Sequence, residues 1–103
     1  MMLGNCVFCD CKSLTKITIP SSIHQISAKS FYGCSSLTQV ELAKETFSFS
    51  ESAFEGCTSL KKISIPSRFI EIGDRAFYGC SSLTQISLPP TVLSVGKDSF
   101  KSC

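Results

Sequence analysis

Cysteine is the residue type in this sequence with the widest capacity for chemistry, since its thiolate is a nucleophile, a metal ligand and a disulfide partner. Seven cysteines occur in 103 residues. Cys6, Cys9 and Cys11 lie close together, and a Cys-x-x-Cys spacing is half of a structural zinc site. Such a site takes four ligands, and the single histidine, His24, follows on a later segment. We therefore expect three unpaired thiols at an open edge and no metal, with a zinc site as the alternative.

No combination of side chains favours catalysis. A cysteine–histidine pair would require His24 beside a thiol of depressed pKa in a cleft. His24 instead follows Ile23 in a segment that is typical of a solvent-facing loop. No pair of carboxylates recurs along the chain, and no glycine-rich phosphate-binding loop is present. The sequence predicts no enzyme, no catalytic residue and no cofactor.

Composition and charge argue against two classes of partner. The chain is 43% hydrophobic and 17% charged with a net charge of +2, and its basic residues are scattered or paired, as at Lys61 and Lys62. Without a basic run, we expect no binding to nucleic acid. No apolar run approaches the ~18 residues of a membrane span, and the N-terminal segment lacks the features of a secretory signal. We expect no membrane insertion, and a chain that either stays inside the cell or is part of a longer protein.

The other cysteines belong to a strict internal repeat of 23 residues. Phenylalanine recurs at this interval at Phe8, Phe31, Phe54, Phe77 and Phe100. Cysteine keeps the same interval at Cys11, Cys34, Cys57, Cys80 and Cys103. A fixed period of ~20–29 residues is the signature of a leucine-rich solenoid, in which each repeat is one coil stacked on the next. We expect a single domain, 1–103, of about four coils, with partial repeats at both ends and repeats that start at Phe8, Phe31, Phe54 and Phe77.

Each repeat contains one short segment in which apolar and polar residues alternate. Its apolar residues share one face, at Ile17/Ile19, Val40/Leu42, Ile63/Ile65 and Ile86/Leu88. The alternation and the β-branched side chains predict strands that stack into a parallel sheet. Proline follows three of these segments and ends the pairing because it has no N–H. A second apolar pair, such as Ile23 and Ile26, is expected to close the far side of the coil.

The segment before each cysteine, for example 74–80, is expected to form one helical turn. Gly33, Gly56 and Gly79 occupy the position where a helix ends in the left-handed conformation. Asp10 and Ser102 replace glycine in the outer repeats, so we expect the terminal coils to be less regular.

The stacked cysteines are not expected to form disulfides with one another. Equivalent residues on adjacent coils lie ~4.8 Å apart. Because their side chains point in parallel, their Cβ atoms stay beyond the ~3.5–4.5 Å that a disulfide needs. We interpret the series from Cys11 to Cys103 as small buried hydrophobes that are reduced and inert.

The pattern Ile-Gly-x-x-Ala-Phe-x-x-Cys-x-x-Leu-x-x-Ile-x-Ile-Pro, present almost verbatim from Ile72 to Pro89, resembles the BspA-type leucine-rich repeat. The resemblance covers essentially the whole chain. It implies a leucine-rich-repeat solenoid, mostly β, with a parallel sheet on the concave face and short helical turns in each coil. Repeats of this type occur in bacterial surface adhesins and in surface proteins of protist parasites, where binding to host-cell or matrix proteins is proposed. The resemblance therefore implies a surface or adhesion protein with a protein partner.

Polar residues between the inward positions form a candidate binding strip on the concave sheet. This set, the polar strip, comprises Lys16, Thr18, Gln39, Glu41, Lys62, Ser64, Gln85 and Ser87. Open solenoid sheets are the usual recognition surface of repeat proteins, and an ordinary solvated face is the alternative. For the chain as a whole, the alternative to a protein-binding module is a structural spacer, or a fragment of a longer array, with no ligand of its own.

Phe47, Ile70 and Leu93 form a second candidate surface at the corner after each strand. Their neighbours already point inward, so this series is either an exposed contact surface or partly buried, and we expect partial burial. In the second repeat Thr46 stands where the other repeats have Ile, Phe or Val, and we expect Phe47 to turn inward in its place. Uncapped coils at both ends also predict end-to-end self-association.

Overall fold

The fold is built from short parallel strands that recur in successive repeats. The computed structural model describes residues 4–84 and 86–103. Within these ranges the strands are β1 (Lys16–Thr18), β2 (Gln25–Ile26), β3 (Gln39–Glu41), β4 (Ser48–Phe49), β5 (Lys62–Ile63), β6 (Glu71–Ile72) and β7 (Ser94–Val95). The chain winds as a solenoid whose coils contribute strands to two separate sheets.

The first sheet has the strand order β1–β3–β5 and follows the alternation of apolar and polar residues. Ile17, Val40 and Ile63 lie in register on adjacent strands. Val40 and Ile63 are each 4% exposed, because their side chains point into the coil interior. Their polar neighbours point the other way and are exposed. The predicted parallel sheet is confirmed for three of the four segments. Residues 86–88 of the fourth segment form no strand, and Leu88, which was predicted to point inward, is 39% exposed.

A second parallel sheet, with the order β2–β4–β6–β7, closes the opposite side of each coil. Ile26, Phe49 and Ile72 lie in register on it and are almost completely buried. The sequence shows these apolar positions but does not predict strands there, since each strand is only two residues long. Pairing between coils creates them: Ser50 N–H donates to Ile26 O and Gly73 N–H donates to Phe49 O, both at 2.8 Å.

A continuous stack of phenylalanine rings forms the centre of the core. Successive rings from Phe8 to Phe100 are stacked and nearly parallel, with interplanar angles of 4–6° and centroids 5.2–5.4 Å apart. Phe49 packs edge-on against Phe54 and Phe77 from the second sheet. The 23-residue interval therefore places each ring on its own copy in the next coil.

The segment before each cysteine forms successive β-turns rather than the predicted helical turn, and no helix occurs in the part of the chain that the structure describes. In the second coil Cys34 N–H donates to Phe31 O at 3.2 Å. The N–H groups of Phe31 and Gly33 instead donate to carbonyls of the next coil, the first to Ala53 O at 2.9 Å. A helix would use all of these donors internally, so stacking of the coils is incompatible with it.

The left-handed backbone position predicted at the end of each turn is confirmed. Gly33, Gly56 and Gly79 have φ values of 72°, 80° and 76°. Asp10 and Ser102 take the same conformation, with φ values of 55° and 65°. The expected irregularity of the terminal coils is therefore wrong at this position, because inter-coil bonds hold the same turn even without glycine.

The corner of the second coil also differs from the prediction. Thr46 is completely buried and Phe47 is 39% exposed, so Phe47 does not turn inward. Thr46 Oγ1 donates to Ile23 O at 3.1 Å, which satisfies the hydroxyl in the interior. In the next coil the equivalent position is Phe69, whose ring packs against that of Phe49 with the centroids 4.5 Å apart.

Candidate interaction surfaces

The polar strip lies on the outer face of the first sheet. Parallel pairing aligns Lys16 with Gln39 and Lys62 in one row and Thr18 with Glu41 in the next. All members of the strip that the structure describes are exposed, including Ser64 and Ser87. Gln85 lies outside the described residues. The backbone pairing of the strands fixes the spacing of these rows, and the buried side chains of the same strands anchor them to the core.

Charge in the strip is unevenly distributed. Gln39 Nε2 donates to Glu41 Oε1 at 3.1 Å, so the strip's carboxylate is already held by a neutral neighbour. Lys16 and Lys62 flank this pair and form no ion pair with any described residue. Lys61 adds a third cation beside Lys62 in the shallow groove that crosses the sheet. The strip therefore presents unpaired cations on either side of a hydrogen-bonded centre that keeps the negative charge of Glu41.

The corner series is partly buried, as expected, at Phe47 and Ile70 but not at Leu93. Phe47 and Ile70 are 39% and 41% exposed, and Leu93 is 82% exposed. The backbone carries the series from coil to coil, since Ile70 N–H donates to Phe47 O at 2.8 Å and Leu93 N–H donates to Ile70 O at 2.7 Å. His24 occupies the equivalent position in the first coil; it is exposed, as predicted, and its ring lies 6.2 Å from that of Phe47. We call these four residues the corner file.

The interior cysteines are free and buried, as predicted, whereas Cys103, which was predicted to be buried with them, is exposed. Cys34, Cys57 and Cys80 have no exposed surface, and each thiol donates to the carbonyl of a phenylalanine on the preceding coil, at 3.0–3.1 Å. Burial raises the pKa of Cys57 strongly and that of Cys80 to about 12. Because the thiolate is the reactive form, these residues are chemically inert at neutral pH. Their function is to connect coils.

The N-terminal cysteines were predicted as unpaired thiols, and this is wrong for two of them. Cys6 and Cys9 are joined by a disulfide, with their Cα atoms 4.8 Å apart. Cys11 remains free and half-buried. Cysteines joined in a disulfide offer no thiolate to a metal, and among residues 4–84 and 86–103 no three His, Cys, Asp or Glu side chains are grouped to hold one.

The disulfide occupies a position where every coil has a tight turn. The first residue of each turn is left-handed without being glycine, with φ values of 56–62° at Cys6, Lys29, Ser52, Arg75 and Asp98. In three of the other coils the side chain there contacts the side chain three residues later. Lys29 Nζ lies 5.6 Å from the centre of the Tyr32 ring.

The contacts of the next two coils are of the same kind. Ser52 Oγ donates to Glu55 Oε1 at 2.7 Å, and the Arg75 guanidinium lies 4.4 Å from the centre of the Tyr78 ring. We call these i, i+3 contacts turn clasps, and the Cys6–Cys9 disulfide is a covalent one. In the sequence, Cys6 and Cys9 lie 23 residues before Lys29 and Tyr32 and so occupy the two clasp positions of the first turn. This alignment is the signal in the sequence that indicates their pairing.

The stacked coils, their two parallel sheets and the 23-residue phenylalanine column define a leucine-rich-repeat solenoid. This chain belongs to the BspA type leucine-rich repeat family, whose repeat region matches residues 2–103 in six copies. Proteins built from such repeats generally act as interaction modules for other proteins. No helix in the described part of the chain is long and apolar enough to cross a membrane.

Two solved structures show how the fold compares with known proteins. A leucine-rich repeat protein from Bacteroides ovatus is 40% identical, with a TM-score of 0.91 over 94% of this chain. The T. pallidum leucine-rich repeat protein is 32% identical, with a TM-score of 0.96 over 98% of this chain. The chain spans 25% of the first protein and 47% of the second. No curated protein sequence matches it significantly.

Proposed function

We propose that this chain is a non-enzymatic protein-recognition module, a single domain of stacked coils that binds a protein partner through the polar strip. The free lysines of the strip, Lys16 and Lys62, are the observation that carries the proposal. They stand on a rigid sheet at fixed spacing and lack internal partners. Exposed cations of this kind are available to carboxylates of a partner and steer its approach.

Adhesion is the setting that we propose for this recognition. BspA-type repeats suggest binding to a host-cell or matrix protein, and the strip offers cations and amide groups that suit a mixed polar protein surface rather than an apolar ligand. End-to-end stacking of uncapped coils, expected from the sequence, stays a prediction.

The first prediction tests the strip directly. The chain should bind at least one matrix protein in a panel of purified laminin, collagen and fibronectin, measured by surface plasmon resonance. The double variant K16E/K62E should weaken that binding at least about tenfold, because it replaces free cations with repelling carboxylates at the interface. K97E/K101E changes the net charge equally at exposed positions away from the strip, and should bind like the unmodified chain.

Two outcomes would contradict the proposal. Equal binding by K16E/K62E and the unmodified chain would move recognition to another surface. Absence of binding to every protein in the panel would favour a structural spacer, a role consistent with the fact that the repeated side chains mainly contact their own copies.

A further inference from the structure

Three of the four residues of the corner file line a groove that carries charges of both signs. His24, Phe47 and Ile70 line this groove together with Lys44, Glu45, Ser67 and Arg68. Glu45 and Arg68 occupy the same repeat position on adjacent coils and are both exposed. Neither forms an ion pair with a described residue, since the ion pair in that part of the chain joins Arg75 to Glu55. The groove therefore has an apolar line bordered by one unpaired anion, Glu45, and two unpaired cations, Lys44 and Arg68.

The order of these groups along the solenoid is self-complementary. From the first coil to the fourth, the corner file runs through two rings, His24 and Phe47, and then two aliphatic side chains, Ile70 and Leu93. The charged row beside it runs from Glu45 to Arg68 in the same direction. Consider a second copy related to the first by a two-fold axis that lies in the interface, perpendicular to the solenoid axis and between the second and third coils. Each ring of one copy then faces an aliphatic side chain of the other.

The same rotation matches the charges. Glu45 of each copy faces Arg68 of the other, so that two ion pairs form across the axis. A parallel arrangement would not oppose these charges. Lys44 of each copy faces Ser67 of the other, so the rotation places no like charges opposite each other. An acidic peptide would leave Glu45 unmatched, and a basic peptide would leave Lys44 and Arg68 unmatched.

We infer that the corner file is a homodimer interface, in which a second copy of this chain packs antiparallel against it. The interface uses a surface separate from the polar strip, so it leaves the strip free to bind a partner. In this arrangement Leu93 of each copy packs against the ring of His24 in the other. Because only four side chains of each copy form the apolar line, the dimer is weak and concentration-dependent.

Sedimentation equilibrium over about 5–500 μM, which brackets the Kd of a small interface, tests the inference. The unmodified chain should form dimers and no larger species. E45R and R68E should each weaken dimerisation at least about tenfold, because each single change places like charges opposite each other twice. E51R and K101E are matched controls at exposed positions outside the groove, and they should dimerise like the unmodified chain.

Two further samples decide the geometry. An equimolar mixture of E45R and R68E should form a heterodimer tighter than either variant's homodimer, and the double variant E45R/R68E should regain dimerisation. L93S should weaken the dimer without affecting folding, because Leu93 is exposed. A chain that stays monomeric throughout the range, dimers unaffected by E45R, or a mixture that fails to form the heterodimer would overturn the inference. Open-ended association insensitive to R68E would overturn it in favour of end-to-end stacking.

Discussion

Each buried cysteine connects its own coil to the preceding one through a single donor. Cys57 Sγ donates to Phe31 O at 3.1 Å, and Cys34 N–H donates to the same oxygen at 3.2 Å. The carbonyl thus uses both of its lone pairs, one for its own turn and one for the next coil. Serine or alanine would fit less well, since the site is apolar and requires both a donor and a side chain of this volume.

Stability should decline at alkaline pH because the buried thiols keep their protons in the folded state. Burial raises the pKa of Cys80 to about 12, whereas a thiol in an unfolded chain has a pKa of about 8.5. Below about pH 8 both states are protonated and the contribution of the thiol is complete; at higher pH the unfolded chain ionises first, and the free energy of unfolding falls until the folded pKa is reached. Urea unfolding from about pH 7 to 10.5 measures this decline.

The matched control for this prediction is Cys80→Ala. Tyrosine and lysine also titrate in this range, so the decline must be compared between variants. The substitution removes one thiol of raised pKa, so the free energy of unfolding should fall less steeply with pH. An equally steep decline in Cys80→Ala would show that the thiol does not contribute.

At the level of elements, the turn of each coil is the unit that the repeat varies most. Its backbone is constant, with left-handed residues at both ends. Its clasp changes from a disulfide to a cation–π contact to a hydrogen bond. Arg75 adds a link between coils, since its Nη2 lies 3.3 Å from Glu55 Oε2. The turns tolerate this variation because the backbone bonds to the neighbouring coil determine their shape.

Reduction of the Cys6–Cys9 disulfide should loosen only the first turn. The bond joins residues three apart, so it closes a short loop and contributes little to global stability. Hydrogen exchange should become roughly tenfold faster in residues 4–14 of the reduced protein, with no change beyond the second coil. C6S/C9S should exchange like the reduced protein and should not respond to reductant. Equal exchange in oxidised and reduced protein would contradict this function of the clasp.

At the level of the whole molecule, the phenylalanine stack couples the coils into one cooperative unit. Phe54 lies at its centre, completely buried between Phe31 and Phe77 at 5.2 and 5.4 Å. Phe100 contacts one described ring, that of Phe77, and is only partly buried. In a solenoid each coil is stabilised mainly by its neighbours, so a central defect separates the two halves.

Phe54→Ala should therefore lower the free energy of unfolding by about 3–5 kcal/mol, through lost burial and the cavity that remains. Phe100→Ala, at the same position of the last repeat, should cost less than half as much because fewer contacts are lost. Urea denaturation followed by circular dichroism measures both. Similar losses for the two variants would contradict the central function of the stack.

Several features of the molecule follow directly from the sequence. The phenylalanine interval predicts the solenoid, and the alternation around Val40 predicts both the buried face and the exposed polar strip. The left-handed glycines and the free buried cysteines are also predicted correctly. These features depend on residue type and spacing within one coil, or on the repetition of that coil, and both are written in the chain.

Other features are decided by contacts that the sequence does not display. The second sheet exists because the N–H groups of Ser50 and Gly73 donate to the preceding coil. The expected helical turn is lost because the Phe31 N–H donates to Ala53 O of the next coil. Thr46 stays inside because the Ile23 carbonyl accepts a hydrogen bond from its hydroxyl. The sequence by itself determined the period, the fold and the direction of each side chain in the first sheet. Only the tertiary structure decided how the turns close, because many of their backbone N–H groups donate to carbonyls of a neighbouring coil, 20 or more residues away in the sequence.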